Sequence, residues 1–134
     1  MRKLLKIVSV AAAMLACLSL NAQNSGYDVF IPIAKYIGQG DAEALSAWFA
    51  DNLEITVDSG TSDSSRSQAR QIVKSFFEEC RPASFVIEHT AARSNTKYAL
   101  GLMSCNADKY NVTIFVSFQN GRYKIQQLKF EKIR

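Results

Sequence analysis

Between residues 84 and 132 the chain alternates apolar and polar side chains in four runs, 84–91, 96–105, 110–119 and 122–132. A period of two held through four short segments is the signature of strands with one face buried, and it predicts an antiparallel meander. The clearest connection is Asn120-Gly121, the type I′ hairpin dipeptide, which sets Phe118 opposite Tyr123 and Val116 opposite Ile125. In the last run Tyr123 and Ile125 share one parity while Leu128 and Phe130 take the other, so a β-bulge is expected at Gln126-Gln127.

Matching apolar faces extends the register through the other strands, because burial of one face is what fixes strand pairing. Val116, Ile114 and Val112 then face Tyr98, Leu100 and Leu102, and these in turn face His89, Ile87 and Phe85. The expected core face is Phe85, Ile87, Tyr98, Leu100, Leu102, Val112, Ile114, Val116 and Ile125. The opposite face carries Val86, Met103 and Phe115 as neighbouring apolar residues among Glu88, Thr90, Thr113 and Ser117.

Upstream the period changes to that of helices. Val29, Phe30, Ile33 and Ile37 share one helical stripe, with Pro32 tolerable in a first turn and Gly38-Gln39-Gly40 as the stop. Asp41 is a good N-cap for a second short helix burying Leu45, Trp48 and Phe49. Asn52 to Asp58 alternates as a half-buried strand, and the Ser-rich stretch 59–67 reads as a loop with room for one very short strand. A third helix places Ala69, Ile72, Val73, Phe76 and Phe77 on one face and stops at Arg81-Pro82. The fold class is α+β: three N-terminal helices packed on a curved antiparallel meander.

The chain starts with positive charges at Arg2, Lys3 and Lys6, followed by an uncharged apolar run from Ile7 to Leu20 and a small-residue exit at Ala22. Those are the parts of a secretory signal, and the run is short of the roughly 18–20 residues that span a bilayer. Residues 1–22 are expected to be a signal peptide and residues 23–134 one exported domain, periplasmic or secreted. Met14-Leu15-Ala16-Cys17 half resembles a lipoprotein processing site, so a lipid anchor at Cys17 is the alternative. Without the signal the chain keeps 13 Lys and Arg against 12 Asp and Glu, a net charge of +1. That balance gives no support for a nucleic-acid partner, which needs a clustered basic face.

Two cysteines remain, Cys80 and Cys105, and an oxidising compartment permits one disulfide between them. The proposed register brings their strand ends together; two buried free thiols are the other reading.

The order helix, Gly40-Asp41-led helix, strand Leu53-Glu54-Ile55-Thr56-Val57, helix Ala69…Phe76-Phe77 and a meander closing on Tyr123-x-Ile125-x-x-Leu128-x-Phe130 resembles the cone-shaped nuclear transport factor 2-like fold. More narrowly, the chain resembles a family of small exported Bacteroidota proteins of unknown function with that fold. Its motifs are packing motifs, which inform about fold and say little about activity. Enzymes resembling it in fold, such as ketosteroid isomerase-like proteins, work inside the cone with a buried carboxylate or His/Asp pair.

On the expected registers His89 and Tyr98 fall inside, with Gln126 or Gln127 near the bulge and no carboxylate among them. Trp48, Tyr36, Tyr98, His89 and Gln127 therefore outline a candidate pocket for a small apolar ligand, without assigned catalytic residues. The enzyme alternative is an isomerase-, dehydratase- or cyclase-like activity through His89 and Tyr98. One His and two separated Cys do not make a usual zinc site, and no cofactor or metal is expected. Val86, Met103 and Phe115 make a candidate interface for a homodimer or an envelope protein. Intact-mass measurement on protein from the envelope fraction checks the processing: a chain beginning at Gln23 is expected, and lipid on Cys17 would replace that reading by the anchor.

Overall fold

A computed structural model describes residues 28–134; the expected signal peptide and Cys17 lie outside the described residues. Helix α1 (Phe30–Gln39) starts where the Asp28 carboxylate accepts from the Phe30 N–H at 2.8 Å. It buries Phe30, Ile33 and Ile37, and ends at Gly40, whose φ of 67° lies in the left-handed region that glycine enters without strain. Asp41 caps α2 (Ala42–Ser46) by accepting from the Ala44 N–H at 3.0 Å.

The helix expected through Trp48 and Phe49 stops earlier, and strand β1 (Phe49–Val57) begins there instead. The reason is a long-range backbone partner. The Ile125 N–H donates to the Trp48 carbonyl at 2.7 Å, and Phe49 pairs with Ile125 in a parallel ladder. Strand β2 (Gly60–Ser65) then folds back on β1 through the stretch expected as a loop. Its polar composition hid it, because ladder bonds come from the backbone. The Thr61 and Thr56 hydroxyls pair at 2.9 Å, and Ser64 is buried. Ser65 and Gln68 form a reciprocal capping box at the start of α3 (Arg66–Glu79).

Strands β3 (Pro82–Arg93), β4 (Thr96–Cys105), β5 (Asp108–Gln119) and β6 (Arg122–Lys132) form the expected meander. The sheet order is β2-β1-β6-β5-β4-β3, so the last strand sits in the middle, parallel to β1 and antiparallel to β5. Phe118 faces Tyr123 and Val116 faces Ile125, with the register slip between Phe115 and Val116 that the phase change at Gln126-Gln127 foretells.

The registers of β4 depart from expectation by one residue. Val116, Ile114 and Val112 face Lys97, Ala99 and Gly101, not Tyr98, Leu100 and Leu102. His89, Ile87 and Phe85 face Leu100, Gly101 and Met103, with a bulge between Ile87 and His89. Ala99, Gly101, Met103 and Cys105 are buried against the helices, and Tyr98, Leu100 and Leu102 lie on the other face.

Two causes act together. Cys105 pairs with Asp108 across a two-residue turn in which Asn106 takes a φ of 53°, and that turn sets which β4 residues face inward. The Phe85 ring also occupies the inner face beside Gly101. A Cβ on Gly101 would come within 2.5 Å of that ring and 2.8 Å of the Val86 carbonyl oxygen. The larger side chains of β4 are therefore excluded from the side that holds the core.

That core joins Phe30, Ile33, Phe49, Ile55, Met103, Ile114, Ile125, Leu128 and Phe130, all at most 2% exposed. Phe76 and Phe77 of α3 lay their rings 4.9 and 5.7 Å from Phe130, tying the helix to β6. Cys80, just after α3, is disulfide-bonded to Cys105 at the end of β4, with Cα atoms 5.5 Å apart. Replacing both cysteines by alanine should lower stability by about 3 kcal/mol, since the bridge closes a loop of 25 residues. Gly101→Ala should cost about 2 kcal/mol through overpacking against Phe85. Urea unfolding checks both, and a neutral Gly101→Ala would contradict the steric account.

Candidate functional site

β4 carries apolar side chains on both faces. Inward lie Ala99, Met103 and Cys105; outward lie Tyr98, Leu100 and Leu102. A strand with one face in water normally alternates with polar residues, and a strand apolar on both sides is the pattern of one covered twice. Across the registers Leu102 faces Val86 on β3, and Tyr98 faces Phe115 on β5. These five make one continuous apolar block on the outer face of β3, β4 and β5. Val86 is 61% exposed and Tyr98 37%, while Leu100, Leu102 and Phe115 are half-buried by one another.

Polar residues border the block. His89 faces Leu100, and Thr113 lies opposite Leu100 on the other side. Gln127 faces Phe115, and its amide donates to the Glu54 carboxylate at 3.0 Å, which turns that edge toward β1 polar. Lys129 faces both Thr113 and Thr56. The helices pack on the opposite side of the sheet, where the buried core residues lie.

The residues expected to share one pocket are thus divided. His89, Tyr98 and Gln127 lie on the open outer face, because the β4 register is shifted and the bulge after Ile87 turns His89 outward. Tyr36 is half-buried on α1 against the core, and Trp48 lies between α2 and β1. Of the expected interface residues, Val86 and Phe115 do share the outer face, but they are not neighbours: Val86 faces Leu102 and Phe115 faces Tyr98, at opposite ends of the block with β4 between them. Met103 is not on that face: it is fully buried on the inner face opposite Phe85 and Tyr110. Sequence reasoning missed Leu100 and Leu102, and the signal that could have found them is the uninterrupted run Tyr98-Ala99-Leu100-Gly101-Leu102-Met103, too apolar for a strand with one wet face.

A second feature lies at the β5–β6 hairpin. A hollow of about 790 Å³ is bounded by Val29, Trp48, Phe118, Arg122, Tyr123 and Lys124. The Phe118 and Tyr123 rings meet edge-on with centroids 5.1 Å apart, and the Lys97 ammonium stands 4.8 Å from the Tyr123 ring centre. Lys124 donates to the Ala47 carbonyl at 3.1 Å. Burial, then the neighbouring Arg66 and Arg122 charges, hold its ammonium below the ordinary lysine value, against a smaller opposing pull from Asp51. Among the described residues no group of three His, Cys, Asp or Glu side chains could hold a metal ion, and no helix is long and apolar enough to cross a membrane.

Residues 30–131 match the family model described as a domain of unknown function, DUF4783. The chain belongs to the DUF4783 family. Solved DUF4783 proteins share the fold. One from Bacteroides uniformis superposes with a TM-score of 0.77 at 17% identity, covering 80% of this chain and 99% of that one. One from Bacteroides fragilis gives 0.75 at 15% identity, covering 79% and 100%. An NTF2-like protein of unknown function from Pseudomonas putida gives 0.63 at 13% identity, covering 84% and 87%. These likenesses establish the nuclear transport factor 2-like fold for this DUF4783 chain. No curated protein sequence matches it.

Proposed function

We propose that this DUF4783 chain is an exported, non-catalytic binding module, acting outside the cytoplasmic membrane and pairing with a second copy of itself through the outer face of its sheet. One observation carries the reading: β4 is apolar on both faces, and no layer of the described fold covers the outer one. The geometry suits a two-fold contact. Strands β3 to β6, spaced about 4.8 Å apart and about 10 residues long, present roughly 600 Å² in projection, near the ~800 Å² of accessible surface each partner gives to a stable interface. Two-fold pairing is also the commonest way for one chain to bury a face of its own.

The rim supports the same reading. Gln127, Lys129 and Glu131 follow one another on the outer face of β6, so a two-fold partner can set opposite charges against each other at the border of the apolar block. His89 and Tyr98 stand on this outer face and not inside the cone, and no Asp or Glu is paired with either of them in the sheet registers, so the face supports a contact surface better than a proton-transfer site.

Sedimentation velocity and native mass spectrometry test the proposal. The protein should be dimeric at micromolar concentration. Leu102→Lys should weaken the dimer by about 30-fold, or about 2 kcal/mol, by placing a charge in the centre of the contact. The circular dichroism spectrum should stay unchanged, since Leu102 lies outside the core. A wild-type protein that remains monomeric up to about 100 μM, far above the Kd of a standard-size interface, would overturn self-association.

A further inference from the structure

We infer that the hollow at the β5–β6 hairpin is a binding site for a small carboxylate that carries an aromatic ring. The site is separate from the outer sheet face. It lies at the hairpin end, between the start of α1 and the segment that joins α2 to β1.

Its walls set the chemistry. Trp48, Phe118 and Tyr123 contribute aromatic surface from two distant parts of the chain, so the site exists only in the folded protein. Phe118 is 44% exposed and lines the hollow, so its ring is open to a ligand. The ring edges and faces of Phe118 and Tyr123, already set edge-to-face, leave room for another ring in an offset or edge-on arrangement. The volume, about 790 Å³, falls within the range of small-molecule sites.

Charge supplies the other half. Arg122 and Lys124 line the hollow and Lys97 stands over Tyr123, while no Asp or Glu lines it. The salt bridges among the described residues join Arg66 to Asp51, Lys132 to Asp108 and Arg134 to Asp58, and none of them uses Arg122, Lys124 or Lys97. Three cations stand beside aromatic walls without a salt-bridge partner among the described residues, and the pull of Asp51 on Lys124 is weaker than the crowding by Arg66 and Arg122. A carboxylate matches the Arg122 guanidinium as a bidentate acceptor, and Lys124 adds a second charge-assisted bond from the side. The crowding of Lys124 by Arg66 and Arg122 would be relieved by the same anion.

A built-in reporter makes the test direct, because Trp48 is the only tryptophan in the chain. The full protein is titrated with 4-phenylbutyrate while Trp48 emission is followed. A saturable change is expected, with a Kd of about 0.1–1 mM for so small a ligand. Neutral 4-phenylbutanol and ring-free octanoate should each bind about tenfold more weakly, as losing the charge or the ring removes one of the two recognition elements. Arg122→Gln and Lys124→Gln should lower affinity for the acid about tenfold with unchanged affinity for the alcohol; Arg122 is exposed, so its replacement spares the fold.

N-acetyl-Ala-Phe with a free carboxylate, compared with its amide, separates the two sources of such a ligand. Tighter binding of the acid peptide than of phenylbutyrate assigns the site to peptide C-termini, and the reverse assigns it to free aryl acids. The proposal is overturned by the absence of a saturable response in both fluorescence and amide chemical shifts, by equal affinity for acid and alcohol, or by tighter binding of adenosine monophosphate. Leu102→Lys should leave the titration unchanged, so failure of the dimer and failure of this site are told apart.

Discussion

The fit of the Phe85 ring against Gly101 governs which way the central strands of this sheet face. With no side chain at Gly101, the ring of the edge strand can lean over β4 and close that end of the core. Any larger residue there would be forced into the ring or into the Val86 carbonyl. Once Gly101 is inside, alternation sends Leu100 and Leu102 outside, and the two-residue turn at Asn106 holds that phase through to β5. The facing of the outer block thus follows from how the inner face is packed. A protein that closes its core this way places positions 100 and 102, here two leucines, on the outer face.

Much of the architecture was legible before any coordinates. The helix stops at Gly40 and Pro82, the Asp41 cap, the Asn120-Gly121 hairpin and the bulge near Gln126 are local signals, each tied to a backbone conformation that few residues support. Features set by distant partners were not. β2 is polar because its ladder bonds are made by backbone groups, and the helix expected to run through Phe49 yields to a parallel pairing with Ile125. The β4 register was misread for a physical reason as well. A rule that sends the largest apolar residues inward fails where both faces are apolar and where one inward position must be empty to admit a ring from the next strand.

The candidate site followed the same division. Val86 and Phe115 were assigned to the right face because each strand's own alternation reveals it, whereas their adjacency depended on the misread register. Met103, Tyr98 and His89 were placed wrongly because their faces depend on a turn and a bulge between strands. The aromatic and cationic hollow left only Trp48 as a trace, since its walls come from α1, the α2–β1 segment and the hairpin, which no sequence window joins.

The position of β6 has a consequence for how the protein comes into being. Strand β6 sits between β1 and β5, and Glu54 meets its partner Gln127 across 73 residues of chain. Until that strand emerges, β1 and β2 have no sheet to join, and Phe130 is missing from beneath α3. Completing the sheet therefore depends on closing large loops, which is slow compared with local pairing. Strand β6 is in that sense the clasp of the fold, the one segment whose arrival lets both halves of the sheet close.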